Sequence, residues 1–164
     1  MRRLIASLAA IGAVLLMALP AQASGAGAMS FTQPFHNASI TMLSVNPCSG
    51  APGSLTITFN GVAHVTFLTS GVGAGTGWAT FTATGDFAFT PTDTSQPSFT
   101  GQFTTWNGEN FNLRNFAATA ILRVNGTGSD GSSLMFHDVA HITVLNPLSS
   151  SPTIVVSFEK PTCG

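Results

Sequence analysis

Two histidines four residues apart, with an aspartate beside the first, give the segment Met135–Val144, MFHDVAHITV, the look of a metal or acid–base site. On a helix, positions four apart lie about 5 to 6 Å from one another at Cβ and can share an ion. On a strand, at about 3.3 Å per residue, the same spacing separates His137 from His141 by about 13 Å. The segment alternates apolar with polar or small residues, which is the strand period. The zinc-protease pattern also needs a glutamate directly after the first histidine, and here Asp138 follows. No metal site and no cofactor are expected.

Alternation then sorts the side chains by face. Leu134, Phe136, Ala140, Ile142 and Val144 share one face with Asp138, while Met135, His137, Val139, His141 and Thr143 share the other. If the more apolar face is the inner one, Asp138 lies in the interior. Asn60-Gly61 is the signal of a two-residue hairpin turn, which sets Phe59 opposite Val62, Ile57 opposite His64, and His64 on the inner face. A buried carboxylate and a buried imidazole are each costly alone. His64 and Asp138 are therefore expected to be partnered, either as a structural pair or as the polar spot of a ligand cavity in which Asp138 orients the imidazole.

A second candidate is Trp106–Asn112, WNGENFN, which combines an indole, Glu109 and three asparagines. Indole faces stack on the apolar faces of sugar rings, and amides and a carboxylate can hold hydroxyls. Trp106, Asn107, Glu109 and Asn110 form the candidate ligand-binding set, and a purely structural Asn-Gly loop is the competing account.

The chain has two cysteines, Cys48 and Cys163. Neither lies in a CxxC spacing or beside basic residues, so a reactive thiol pair is disfavoured, and a structural bridge is expected. Such a bridge closes a loop of about 115 residues, where the chain-entropy account gives roughly 4.7 kcal/mol for loops near 100 residues.

The N-terminus carries Arg2 and Arg3, an apolar run from Leu4 to Leu19, then Pro20 and the small-residue site Ala21-Gln22-Ala23. This is the pattern of a secretory signal peptide, with cleavage expected after Ala23 and an extracellular location in which disulfides persist. The mature chain has no second long apolar run and no membrane span is expected. It keeps Arg114, Arg123 and Lys160 against six acidic residues, a net charge of −3. Nucleic-acid binding needs clustered Lys and Arg, so that class is excluded. Charged residues are 7% of the chain, against about 25% in typical domains, so threonine, serine and asparagine must solvate the surface.

These candidates must be positioned by strands. Residues 24–38 are small and polar and read as a flexible lead-in, and residues 39–164 read as one domain. From Ile40 onward, eight segments alternate apolar with polar residues and are bounded by Gly, Pro, Asn or Asp: ITMLSV, SLTITF, VAHVTFL, WATFTATGDFAFT, SFTGQFTTW, RNFAATAILRV, SLMFHDVAHITVL and TIVVSFE. The expected fold is all-β, a single antiparallel barrel of about eight strands with a lipocalin-like shape, and a β-sandwich is the alternative. Asp93, in PTDTSQP, is one carboxylate and cannot supply the oxygens that calcium takes.

NPCSGAPG, TFNGVAHVT, GQFTTWNGEN, GTGSDGSSLMFHDVAHITV and SFEKPTCG together resemble a group of small exported proteins of high-GC Gram-positive bacteria. The likeness covers most of residues 45–164. It implies export and a compact β-domain, and it carries over no catalytic residue.

Two functions follow as expectations. The first is a secreted, non-catalytic module that binds a small apolar molecule or a glycan. The second is a small-barrel enzyme of isomerase or cyclase type, using His64 with Asp138 or Glu109 as acid and base in an apolar cavity. GxSxG, CxxC and metal-spaced clusters are absent from the sequence, so the first is preferred. One conflict remains, because an eight-strand meander puts the ends of its first and last strands at opposite rims, while a bridge needs Cα atoms within about 7 Å. The Cys48–Cys163 bridge is expected to hold, with the chain departing from the ideal meander at the first strand, at the bend near Gly85 or in the tail.

Overall fold

Alternating Phe and Thr over long stretches, with small residues between them, suit a sheet with one packed and one solvated face. The computed structural model has this form over the residues described, 24–25 and 27–164. Its strands are β1 (Ser24–Gly25), β2 (Ala28–Val45), β3 (Pro52–Leu68), β4 (Gly77–Pro91), β5 (Phe99–Phe111), β6 (Asn115–Gly128), β7 (Ser133–Leu145), β8 (Thr153–Glu159) and β9 (Thr162–Cys163). They form one antiparallel sheet in the order β1 to β8, each strand beside its sequence neighbour, with β9 also pairing β7. No helix occurs among the described residues. The signal-peptide segment lies outside them.

Three expectations are corrected. The lead-in is not flexible throughout, because β2 begins at Ala28 and pairs with β3 from that residue onward. Asn60-Gly61 is not a turn, because β3 runs straight through it and pairs with β4 from Gly53 to Phe67 without a break. The irregularity falls instead on β2, which bulges between Phe35 and Ala38. There Asn37 has φ 49°, and its N–H donates to Asn60 Oδ1 at 3.1 Å. Finally, Trp106–Phe111 belong to β5 rather than to a loop.

Merging two expected strands into β3 leaves seven long strands, and this odd number resolves the conflict over the bridge. β2 and β8 now run the same way. Cys48, just after β2, and Cys163, in β9, reach the same rim and are joined, with Cα atoms 5.8 Å apart. The tail departs from the meander as β8 stops at Glu159 and β9 resumes along β7 beside Phe136 and His137. We call this rim, with Pro52, Pro91, Phe99 and Ser133, the upper one, and the rim with Ala28, Leu68, Gly77, Asn115 and Thr153 the lower one. No hydrogen-bonded pair joins β2 to β8 or β9 among the described residues, so the ladder is open and the bridge spans its two flanks.

Odd-numbered positions of β3 to β5 and even-numbered ones of β6 and β7 form the inner face. Toward the upper rim this face is filled by Phe59, Phe87, Phe89, Phe99, Phe103 and Leu134, with Ala83 near the middle of the sheet. The rings reach across strands, as Phe87 lies over Gly126 and Phe89 over Gly53, where a Cβ would collide with them. Toward the lower rim the inner face is more open: Ala63, Ala79, Ala118, Ala120 and Ala140 are half-buried, and below them Phe67, Phe111 and Phe116 are half-buried too, with Phe67 packed on Phe111. Burying an aromatic side chain contributes roughly 1.5 to 3 kcal/mol, so the upper half holds most of the hydrophobic stabilisation.

Candidate functional site

The register splits the four residues of the candidate ligand set between the two faces. Asn107 and Glu109 point to the inner face, while Trp106 and Asn110 stand on the outer face with Trp78, Thr80 and Thr82 of β4. The four side chains therefore do not converge on one face, although Trp106, Glu109 and Asn110 all border the same outer-face groove. Glu109 lies between Ala79 and Ala118, half-buried, and burial raises its pKa above the ordinary carboxyl value.

On the outer face, one cross-strand row runs Thr80, Gly108, Thr119, His141, Phe158. The Trp106 indole reaches along β5 and lies down on Gly108, where a Cβ would meet the ring at 2.5 Å. The six-membered ring of the indole thus occupies the space a side chain at position 108 would take, and Trp106 remains 40% exposed. Trp78, on the next row toward the lower rim, is equally exposed. Together they border a groove of about 210 Å³ whose lining includes Asn110, Thr80, Thr119 and His141. A second outer-face groove, of about 450 Å³, lies toward the upper rim and is lined by Thr56, Thr58, Asp86, Thr100 and Gln102 among others.

The histidines are held by hydroxyls. His141 shares hydrogen bonds with Thr119 Oγ1 through Nδ1 at 2.7 Å and with Thr143 Oγ1 through Nε2 at 3.0 Å, and its ring stacks on Phe158 at 5.8 Å. His64 repeats this arrangement with Thr32 at 2.8 Å and Thr66 at 3.2 Å. Both ring nitrogens have a threonine hydroxyl as partner in each case. The signal for this pairing was present as a repeat, VAHVT at 62–66 and VAHIT at 139–143, in which the Thr two residues on shares the histidine's face.

His64 therefore stands on the outer face, a correction that follows from the straight course of β3. Asp138 lies on the inner face as expected and is 5% exposed. The two belong to opposite faces and form neither a structural pair nor a shared acid–base site. Asp138 Oδ1 finds no hydrogen-bond partner among the described residues. Burial raises the Asp138 pKa, and the backbone N–H of Val139, the neighbouring His137 and the backbone N–H of Lys160 oppose that shift. His137 and His141 share the outer face of one strand, and among the described residues no three His, Cys, Asp or Glu side chains converge on a point. No protein-family model, curated protein or solved structure matches this chain.

Proposed function

We propose that the protein is a non-catalytic extracellular binding module that holds a neutral glycan, or a small molecule with a comparable apolar ring face and hydroxyl rim, on the outer face at Trp106. The observation that carries this reading is the Trp106 indole packed over Gly108 on the outer face while the residue stays 40% exposed. A ring fixed in that pose offers a rigid apolar platform at little cost in side-chain entropy. Thr80, Asn110 and Thr119 offer uncharged donors and acceptors beside it. Glu109 and His141 also border the groove, but the Glu109 side chain points to the opposite face and the His141 ring is held by two threonine hydroxyls. This setting suits hydroxyls better than a charged ligand. An extracellular setting is supported by the Cys48–Cys163 bridge together with the signal-peptide pattern. The barrel is part of the same proposal: the open sheet curls until the bridge clasps its flanks, so that the outer face is a convex wall presenting the groove.

The experiment is a glycan array followed by titration calorimetry on the best ligand. Wild-type protein is expected to bind, and Trp106→Ala to weaken binding about tenfold or more, as central aromatic anchors do. Gly108→Val, which lifts the indole from its floor without removing it, is expected to give a comparable loss. An array without ligands, or full affinity in Trp106→Ala, overturns the proposal.

A further inference from the structure

The β3–β4, β5–β6 and β7–β8 connections at the lower rim each carry one large aliphatic side chain. In that order these are Val72 (112% exposed), Leu113 (68%) and Leu148 (79%). The connections are joined physically. Leu113 Cγ lies 3.9 Å from the position a Cβ on Gly75 would take, and the Asn146 N–H donates to the Arg114 carbonyl at 2.6 Å. Asn112 Oδ1 accepts from the N–H groups of Arg114 and Asn115, both at 2.8 Å, which fixes the loop that presents Leu113. The apolar tips are thus held on one tied rim.

Charge distinguishes this rim from the other. Across residues 69–76, 112–114 and 146–152 the one charged side chain is Arg114, which is exposed. The upper connections 46–51, 92–98 and 129–132 carry Asp93 and Asp130 and no basic residue. Between the lower tips stand Gly, Ser, Thr, Ala, Asn and Pro, small groups that give a protein partner little shape to fit. A stable protein interface needs a packed core and about 1,000 Å² or more, whereas a lipid layer asks for protruding apolar groups and a basic residue at headgroup level. The chain also enters the domain here, since β1 and the start of β2 pair at this rim.

The geometry points to the lower rim as a membrane-contact surface, on which Val72, Leu113 and Leu148 enter the interfacial layer of an anionic bilayer and Arg114 pairs with a headgroup phosphate. The Trp106 groove adjoins this rim, with Trp78 and Asn110 one row from it, but Val72, Leu113, Arg114 and Leu148 are not among the residues that line it, so the two assignments are tested by different variants.

The test is flotation with vesicles of phosphatidylcholine containing about 30% phosphatidylglycerol, and with phosphatidylcholine alone. It uses protein recovered after export, with removal of residues 1–23 verified by intact mass. Wild-type protein is expected to float with the anionic vesicles. Each tip changed to serine is expected to cost about tenfold, the equivalent of one apolar side chain withdrawn from the interface. Val72→Ser/Leu113→Ser/Leu148→Ser is expected to abolish flotation, and Arg114→Gln to weaken it on anionic vesicles alone. Leu43→Ser, which alters an equally exposed aliphatic near the upper rim, is expected to change nothing. Because all these positions are exposed, the variants retain the fold, which the intact bridge and circular dichroism check. Failure of the wild type to float, or unchanged flotation of the triple variant, overturns the inference. So does a wild-type dimer that the triple variant disperses without any lipid binding, which would assign the rim to a second copy of the chain.

Discussion

The upper and lower halves of one continuous sheet are built on different terms. Above, the inner face is packed with phenylalanine rings that cross from strand to strand over glycines, and the flanks are clasped by a disulfide. Below, the inner face mixes alanines, Asn107 and Glu109 with the half-buried rings of Phe67, Phe111 and Phe116, and further aromatic and aliphatic side chains stand outside or at loop tips. The same pairing pattern thus supports a half that stores stability and a half that presents surface. Binding surfaces are drawn from regions that a rigid scaffold holds in place, and here scaffold and surface share every long strand from β2 to β7.

The largest effect should come from the clasp. Cys48→Ser/Cys163→Ser is expected to lower the stability by about 4 to 5 kcal/mol, the chain-entropy value for a loop of this length, read as a shift of the urea midpoint. A loss below about 1 kcal/mol would mean that the Phe-rich half closes the sheet without covalent help. Next, Phe59→Ala in the upper core is expected to cost about 3 to 5 kcal/mol. Phe111→Ala, which empties a half-buried site against Phe67, should cost less than half as much. Equal losses would break the contrast between the halves.

Gly85→Ala probes the straight course of β3, because its Cβ would strike the Thr58 carbonyl and Phe59. Overpacking of this kind costs about 1 to 3 kcal/mol. A hairpin at Asn60-Gly61 would not pair Gly85 with Phe59, and the substitution would then be nearly neutral.

The smallest expected effect lies at Asp138. Its carboxyl and that of Glu109 are raised by burial, so near their pKa values the native state binds more protons than the unfolded chain. Their contribution is most favourable below the ordinary carboxyl pKa and is lost as pH rises through the raised values. Asp93 is lowered chiefly by the Ser95 backbone N–H and Asp130 chiefly by the Ser132 hydroxyl. These two work in the opposite sense, adding stability above the ordinary pKa that disappears as pH falls through their lowered values. Asp138→Asn removes a buried charge while keeping an acceptor. It is expected to stabilise the protein at pH 7 by about 1 kcal/mol and to flatten the stability profile on the side where pH rises through the raised carboxyl. Melting curves of both forms at several pH values provide the measurement, and a destabilised variant at pH 7 would show that the ionised carboxylate has a partner.

Much of this arrangement was legible in local pattern. The alternation of Phe with Thr identified strands, Asp138 was placed inside and His137 and His141 outside, and the two cysteines were paired. What misled was Asn-Gly. The chain has this pair at 60–61, 107–108 and 125–126, and all three lie within strands. Each glycine is there for close approach: Gly61 beside the Thr82 carbonyl and Ala83, Gly108 under the Trp106 indole, and Gly126 under Phe87. A turn and a close approach both need a residue without a Cβ, and the local sequence does not distinguish them. Reading the first pair as a turn reversed the face of every residue after it in β3, His64 included, because side chains alternate with a period of two. Reading the second as a loop gathered onto one site the side chains that β5 sends to opposite faces.

By itself, then, the sequence determined the class of the fold, the identity of the covalent clasp and the two faces of β7, because these depend on composition and on a two-residue period within one segment. The tertiary structure decided how many strands those segments make, and hence that both cysteines reach one rim. It also decided that His64 faces solvent between two threonines, and that three loop tips distant in sequence share a rim. These properties depend on what lies across the sheet from each residue: a bulge in β2 opposite Asn60, a ring above Gly126, a hydrogen bond from Asn146 to Arg114. Such contacts join residues tens of positions apart and leave no mark in the local pattern of either one.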